Sequence, residues 1–284
     1  MILVSRAFGR DIMADKTKIE WADSTFNPWE GCQKVSPACD NCYAEARNSR
    51  FGGGTAPNWG PHAPRRRTSI TNWRKPIQWQ RQAKEFHAAH GRRRRVFCAS
   101  LADVFDNAVD PSWRMDLWQL IELTPDLNWM LLTKRPQNIG KMLPPPPIWD
   151  EMRDHVWLGA TCEDAERMWQ NIYHIIGHGA AHTFISYEPA LGPLNGLWKH
   201  LDLRGGGIDW VIAGGESGPN ARPSNVGWFI SVRDACQWAG VPFLFKQRGE
   251  HDEAGKRVGR NRAGRLLDGV EHNGFPTTKV VERT

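Results

Sequence analysis

The chain has 284 residues, of which 40% are hydrophobic and 24% are charged. This length and composition are typical of one or two globular domains and exclude a disordered or fibrous protein. No run approaches the roughly 18 consecutive apolar residues of a membrane span, and residues 1–4 are too short for a signal-peptide core, so we expect a cytoplasmic protein without a membrane segment.

The overall charge leaves the class of partner open. The net charge is +6 and the pI is about 9.1, which permits a polyanionic partner without requiring one. The chain has 15 tryptophans, and this residue packs in cores as well as stacking on bases. Six cysteines in a cytoplasmic chain of this size do not indicate a disulfide scaffold.

Residues 1–14 lack periodicity, and we expect a disordered N-terminal extension there. A main α/β domain is predicted over residues 15–248, with an insert over residues 51–79 rich in Gly, Pro and Trp. The remaining residues, 249–284, are predicted to form a C-terminal tail that packs on this domain.

Three cysteines follow the first candidate strand, which is placed near residues 25–31. Cys32, Cys39 and Cys42 have the spacing C-x6-C-x2-C, and clustered thiols favour a soft metal centre. A 4Fe–4S cluster held by three thiolates would leave one iron open to a substrate or cofactor. A tetrahedral zinc site needs a fourth ligand, and the nearest downstream histidine is His62. A zinc site and free thiols remain alternatives.

Between Val96 and Lys246 the chain alternates short apolar runs with segments of helical spacing. The runs start roughly 30 residues apart, the size of a βα repeat, and helical stripes are predicted over residues 111–123 and 164–176. Near-continuous apolar strands indicate a parallel sheet covered on both faces. We predict an α/β fold, a full or partial (β/α) barrel of six to seven parallel strands, which includes residues 96–100, 129–133, 156–161, 183–187, 209–214 and 242–246.

Polar and charged residues follow each predicted strand, where barrel enzymes place their chemistry. Helix capping explains some of these residues, but it does not explain Lys134–Arg135 or Lys246, because cations are disfavoured at helix N-termini. It does not explain the paired glycines before Glu216 either. We therefore predict that the polar groups converge on one mouth. The dinucleotide fingerprint and the phosphate loop are both absent, which disfavours NAD and ATP.

The segment from Asn27 to Ala44 resembles the cluster loop of radical S-adenosylmethionine (SAM) enzymes, especially the spore photoproduct lyase branch. More widely, the chain resembles a phage-encoded three-Cys-motif family of unassigned reaction, with matching motifs at residues 17–28, 133–136, 188–189, 213–218 and 263–269. Two features differ from the usual radical SAM loop. Six residues instead of three separate the first two cysteines, and Asn41 replaces the aromatic residue that usually precedes the third.

The resemblance implies a radical-SAM-like barrel whose 4Fe–4S cluster cleaves SAM to a 5′-deoxyadenosyl radical, with electrons from a donor such as flavodoxin or ferredoxin. The three cysteines would hold three irons, and SAM would bind the fourth. The implied SAM-binding residues are Ser100 and Asp103 for the amine, Lys134 or Arg135 for the carboxylate, Gly214 and Gly215 beside the nucleoside, Glu216 at the ribose, Glu188 at the ribose or the substrate, and Tyr43 or a tryptophan on the adenine. Cys162, at a strand end, is a candidate to return a hydrogen atom to a substrate radical, with a buried packing role as the alternative.

Three functions remain open. The first is a radical SAM enzyme that modifies or repairs a nucleic acid base or nucleotide in DNA or RNA. The second acts on a small metabolite or peptide, and the third is a zinc-stapled nucleic-acid-binding protein without catalysis. Arg65–Arg67 with Trp59 and Trp73 would suit a single-stranded or flipped nucleotide, or form a mobile loop, whereas Arg92–Arg95 are expected at the opposite, solvated rim. The reaction type and oligomeric state stay open.

Overall fold

The structure is a computed structural model that describes Thr17, residues 19–202 and residues 206–277. The predicted extension over residues 1–14 lies outside this range. The strands are β1 (Ser24–Thr25), β2 (Trp29–Glu30), β3 (Arg66–Arg67), β4 (Arg94–Cys98), β5 (Leu127–Thr133), β6 (Val156–Thr161), β7 (His182–Tyr187), β8 (Trp210–Gly214) and β9 (Phe243–Gln247). The α-helices are α1 (Tyr43–Phe51), α2 (Ile70–Trp73), α3 (Lys75–Arg81), α4 (Ala83–His90), α5 (Pro111–Glu122), α6 (Ile139–Met142), α7 (Pro146–Met152), α8 (Ala165–Ile172), α9 (Val226–Ala239) and α10 (Arg260–Ala263).

Seven parallel strands form the main sheet in the order β1-β4-β5-β6-β7-β8-β9. The predicted fold class is therefore confirmed, and the six apolar runs correspond to β4 through β9. The predicted helical stripes correspond to α5 and α8. Among the described residues β1 and β9 form the two ends of the sheet, so the molecule is a partial barrel.

The sheet is strongly curled. In a flat sheet with strands about 4.8 Å apart, β1 and β8 would be separated by roughly 24 Å. Trp21, which precedes β1, nevertheless packs against Trp210 of β8, with ring centroids 6.4 Å apart, and against Phe97 of β4 at 4.4 Å. The strands therefore wrap around a common axis, and Trp21 packs across the open side.

Successive residues of each strand face opposite layers, as the pleat requires. The inner layer is a buried cluster that includes Trp21, Phe97, Met130, Trp157, Phe184 and Trp210. The alternate residues face the helices and belong to the larger outer cluster, which includes Val96, Trp129, Leu158, Ile185 and Val211. Both faces of the sheet are thus apolar, which explains the continuous apolar runs in the sequence.

The first predicted strand requires a correction. Only Ser24–Thr25 joins the parallel sheet, whereas Trp29–Glu30 pairs antiparallel with Arg66–Arg67 of the insert. The reason is that Asn27 interrupts the strand: its side-chain oxygen accepts the backbone N–H of Leu101 at 2.8 Å. The insert continues into α2 and α3, where Trp73 and Trp79 are buried.

The tail covers the free edge of β9. The Gly274 N–H donates to the Phe243 carbonyl and the Phe245 N–H to the His272 carbonyl, each at 2.9 Å. Phe275 packs on Trp210 with ring centroids 5.3 Å apart. A covered edge cannot pair with another chain. Among the described helices, none is both long and apolar enough to cross a membrane.

Candidate active site

A cavity of about 280 Å³ opens at the carboxyl ends of the parallel strands. Residues at the ends of all six strands from β4 to β9 contribute to its wall. Every site residue predicted from the sequence lines it, except Cys162 and Gly214; those that do are Cys32, Cys39, Cys42, Tyr43, Ser100, Asp103, Lys134, Arg135, Glu188, Gly215 and Glu216. Their individual roles remain predictions.

Residues 31–42, hereafter the cysteine loop, form the outer wall of this cavity. The loop begins at Gly31, whose φ is +113° and where an added Cβ would lie 2.5 Å from the Asn58 carbonyl oxygen, so only glycine fits. Pro37 begins a short 3-10 helix that ends at Cys39, and Cys42 occupies the N-cap position of α1 without a side-chain capping bond. The three cysteines therefore face one cavity from three different backbone settings.

The far end of the loop is anchored by the residues that follow β8. Glu216 accepts hydrogen bonds from Asn41 at 3.0 Å and from the Arg222 guanidinium at 2.6 and 2.9 Å. Arg222 also donates to the Pro37 carbonyl at 2.9 Å and to Asp40 at 3.1 Å. Burial raises the pKa of the Glu216 carboxyl, but the bonds from Arg222 and Asn41 outweigh burial and lower the pKa. Glu216 therefore stays ionised and holds the loop.

The middle of the loop is anchored by α8 and the end of β6. The buried Glu163 carboxylate accepts the Ala38 N–H at 3.3 Å. Arg167 donates to the Val35 carbonyl at 3.3 Å and lies 3.8 Å from Glu163. These contacts join the second cysteine segment to the sheet.

The near end of the loop contacts a buried network centred on Asp103. Its carboxylate accepts the Thr133 hydroxyl at 2.7 Å, the Lys134 N–H at 3.0 Å and the Arg135 guanidinium at 3.1 Å. Arg135 also donates to the Cys32 sulfur at 3.3 Å and to the Gln33 carbonyl at 2.9 Å. The guanidinium predicted for a cofactor carboxylate is thus occupied by protein groups.

The protonation of Cys32 follows from this setting. Burial raises the pKa of its thiol to about 11, Asp103 adds to this, and Arg135 opposes it. Burial tends to lower the pKa of Arg135, but Asp103 and Cys32 raise it overall, so Arg135 stays a cation. A metal-bound thiolate at Cys32 would therefore have a permanent cationic donor beside it.

The three cysteines meet only part of what an iron–sulfur cluster needs. Among the described residues no group of three or more His, Cys, Asp or Glu side chains is arranged to hold a metal ion. The three cysteines are free thiols that line one cavity. Three thiols beside a fixed cation fit an iron–sulfur cluster chemically, but they do not form a closed cage as they stand.

The opposite wall carries an ion pair. Lys246 of β9 lies 2.9 Å from Glu188, which follows β7. Gly214 contacts this pair, because an added Cβ would lie 2.5 Å from the Glu188 carboxylate. At Gly215 an added Cβ would lie closer still to its neighbours, 2.1 Å from the Arg248 carbonyl oxygen. Both glycines thus accommodate the protein's own groups, and the close approach of a nucleoside to them stays a prediction.

Cys162 lies outside the cavity. It continues β6 with its side chain in the outer cluster, fully buried, and burial raises the pKa of its thiol. Thr161, one residue earlier, lines the cavity instead. This position gives no support to a hydrogen-donor role and agrees with the packing alternative.

Some arginines of the two basic runs are buried and contact groups within the protein, contrary to the solvated or nucleotide-binding positions predicted for them. Arg65 is buried and donates to Asp106 at 2.7 Å, and Trp73 is buried beneath Arg67. Arg95 is buried, and its guanidinium lies 3.7 Å from the Phe275 ring centroid. The solvated rim expected over residues 92–95 is therefore wrong for Arg95. Trp59, by contrast, lines the cavity beside Cys32.

A family model described as a protein of unknown function, DUF5131, matches residues 16–276. The chain belongs to the DUF5131 family. No curated protein matches it significantly. It is similar to a double mutant of spore photoproduct lyase with bound AdoMet and dinucleoside spore photoproduct, at 12% identity and a TM-score of 0.43, over 84% of this chain and 60% of that chain. It is also similar to spore photoproduct lyase complexed with dinucleoside spore photoproduct, at 13% identity and a TM-score of 0.44, over 81% and 64%.

The chain thus spans about three fifths of the length of these lyase chains. Membership of the DUF5131 family agrees with the expected resemblance to a family of unassigned reaction. It supplies no substrate.

Sequence reasoning missed the residues that hold the cysteine loop. Arg222 lies in an irregular segment without periodicity, and no local signal marks it. Glu163 lies two residues after the end of β6, so the rule that drew attention to strand ends could have found it. Nothing in the sequence distinguishes Trp21 from the other 14 tryptophans. Only the curl of the sheet brings Trp21 against Trp210 across the open side.

Proposed function

We propose that this protein is a radical SAM enzyme that acts on a nucleic acid base or nucleotide. One observation carries the proposal: all three cysteines of the C-x6-C-x2-C motif line a cavity at the carboxyl ends of a parallel half-barrel. This is the end at which barrel folds place their active sites.

Cys32, Cys39 and Cys42 would hold a 4Fe–4S cluster, which with SAM supplies one-electron chemistry at the cavity. Lys134 is the best residue for the SAM carboxylate. It lines the cavity, and its ammonium group has no partner among the described residues, whereas Arg135 is occupied. The exposed ring of Tyr43 lies at the same cavity, fixed by a hydrogen bond from its hydroxyl to the Ser100 carbonyl at 2.6 Å, and is suited to stack on a flat group.

The proposed substrate class rests on size and charge. A cavity of about 280 Å³ is too small to admit a duplex, so a base would have to reach its mouth singly or flipped from its strand. At the end of α1 opposite the cysteine loop, Phe51 is exposed, with the Arg47 guanidinium 5.0 Å from its ring centroid. An exposed aromatic ring beside cations suits single-stranded nucleic acid.

Anaerobic reconstitution with iron and sulfide tests the chemistry. The wild type is expected to bind about four irons per chain and to cleave SAM. Substituting any of Cys32, Cys39 or Cys42 by alanine should abolish iron binding. Cys236→Ala is the matched control, because this thiol is buried on α9 outside the cavity. A colourless protein with one zinc would instead support the non-catalytic zinc alternative.

Salt dependence tests the substrate class. Binding of single-stranded DNA or RNA should weaken steeply with salt, because phosphate contacts release counterions. Cleavage of SAM together with salt-independent binding of small molecules alone would favour a metabolite or peptide substrate.

A further inference from the structure

The three cysteine sulfurs have unequal surroundings. The Arg135 guanidinium donates to the Cys32 sulfur at 3.3 Å. Among the described residues no side chain donates to the sulfur of Cys39 or Cys42. Any centre held by the three thiolates would therefore be asymmetric, with its one charged hydrogen bond at Cys32.

We propose that Arg135 is a positioning residue that raises the reduction potential of the cluster through its hydrogen bond to the Cys32 sulfur. This inference rests on the proposed function and goes beyond it, because it assigns to one residue a control over electron uptake.

The guanidinium is held firmly enough to act in this way. Arg135 is 3% exposed, and its nitrogens also contact Asp103 at 3.1 Å, the Gln33 carbonyl at 2.9 Å and Asp106 at 3.8 Å. Asp103 in turn accepts the Thr133 hydroxyl and the Lys134 N–H. A planar fork fixed on several acceptors cannot turn away from the sulfur without breaking these bonds.

The charge balance around Cys32 points the same way. The buried Arg65 donates to the Asp106 carboxylate and the buried Arg135 to the Asp103 carboxylate, while the buried Arg114 donates to the Val104 and Asp106 backbone carbonyls. This group carries one excess positive charge when Cys32 is a neutral thiol. An anionic sulfur at Cys32 would balance it, and buried charges are tolerated when balanced.

The physical consequence concerns the reduced state. Reduction adds negative charge to a cluster, and hydrogen bonds and cations at a ligating sulfur stabilise that charge. Arg135 is therefore expected to make the cluster easier to reduce. The same contact would not alter how many irons bind. A changed reduction potential with unchanged iron content therefore separates an effect on electron uptake from an effect on cluster assembly.

The test is a redox titration of the reconstituted protein followed by electron paramagnetic resonance. Arg135→Gln removes the charge, and its reduction equilibrium is expected to shift at least tenfold toward the oxidised state, about 59 mV for one electron. Arg135→Lys keeps the charge and should fall between this variant and the wild type. Arg233→Gln is the matched control, because Arg233 pairs with the exposed Asp234 and Asp268 and belongs to neither the cavity nor the cysteine loop; the potential of this variant should equal that of the wild type.

A second measurement uses the unmodified protein, in case Arg135→Gln does not fold. An N–H donor on a ligating sulfur should shift the iron–sulfur stretching bands in resonance Raman spectra when exchangeable hydrogens are replaced by deuterium. If the wild type assembles a cluster but shows neither this isotope shift nor any change of potential in folded variants, the inference is overturned and the proposed function stands. If the wild type assembles no cluster, both are overturned.

Discussion

Gly215 lies where the chain after β8 comes closest to the chain after β9. An added Cβ would stand 2.1 Å from the Arg248 carbonyl oxygen and 2.9 Å from the Gly249 nitrogen, both backbone atoms that cannot move aside. At Gly214 the nearest atom is the far end of the flexible Glu188 side chain. Glycine is therefore required at position 215, whereas position 214 can accept a small side chain.

We predict that Gly215→Ala lowers the free energy of unfolding by about 1–3 kcal/mol, the usual range for overpacking. Gly214→Ala should change it by less than about 1 kcal/mol, because Glu188 can shift and alanine costs less backbone entropy than glycine. Urea unfolding of both variants measures the difference. Equal losses at the two positions would contradict the geometry.

At the same scale, the sequence shows that strand ends are polar but not which side chains face the axis. Every strand is apolar on both faces, so the alternation that would distinguish inward from outward positions is absent. One step of register exchanges the two faces. This is why Cys162 was a plausible site residue although Thr161 occupies the cavity position.

The cysteine loop is the element on which the site depends, and Arg222 joins it to the segment after β8. Arg222→Ala should reduce hydrogen-exchange protection of the Cys39 and Asp40 amides by about threefold to tenfold, a modest effect because this guanidinium is partly exposed. Arg257→Ala is the matched control, since Arg257 binds the Gly218 and Pro219 carbonyls of the same segment but no loop atom. Unchanged protection in Arg222→Ala would show that the loop is held elsewhere.

The start of β1 is tied to β4 by Asp23. Burial raises the pKa of this carboxyl, but hydrogen bonds from Arg92 and from the Arg95 backbone outweigh burial, and the pKa lies below its ordinary value of 3.8. Ionised Asp23 therefore stabilises the fold fully above that pH, and the stabilisation is lost as the pH falls through the folded value.

Asp23→Asn is expected to cost about 1–3 kcal/mol at pH 7, the range for hydrogen bonds to charged groups, and to flatten the fall in stability below pH 3.8. Chemical denaturation at pH 7 and at stepwise lower pH measures both effects. Asp150→Asn breaks a half-exposed pair with Arg153 and should change stability at pH 7 by less than about 0.5 kcal/mol. If Asp23→Asn and the wild type lose stability in parallel on acidification, protonation of Asp23 is not the cause of the loss at low pH.

Elements with strong periodicity could be predicted, whereas those fixed by distant contacts could not. The strands β4 to β9 and the helices α5 and α8 follow from local apolar patterns. The pairing of Trp29–Glu30 with Arg66–Arg67 joins segments more than thirty residues apart, and no local pattern specifies it. The same holds for the anchoring of the cysteine loop to Glu163 and Glu216.

At the scale of the whole molecule, Trp21 connects the two sides of the curled sheet. Trp21→Ala should cost about 3–5 kcal/mol, the usual loss for a buried tryptophan. Trp238 is 77% exposed on α9, and Trp238→Ala should cost less than about 0.5 kcal/mol. Equilibrium unfolding of the two variants tests whether the aromatic contact supports the curl, and a small loss at Trp21 would show that it does not.

The buried aromatic layer also limits the route by which ligands enter and leave the cavity. Since Trp21, Phe97, Phe184 and Trp210 fill the half-barrel from within, a molecule reaching the described part of the interior passes the strand ends both on arrival and on departure. If two ligands use that passage, the ligand that lies deeper in the cavity must bind first and dissociate last. Steady-state kinetics should accordingly be ordered, with the outer ligand trapping the inner one.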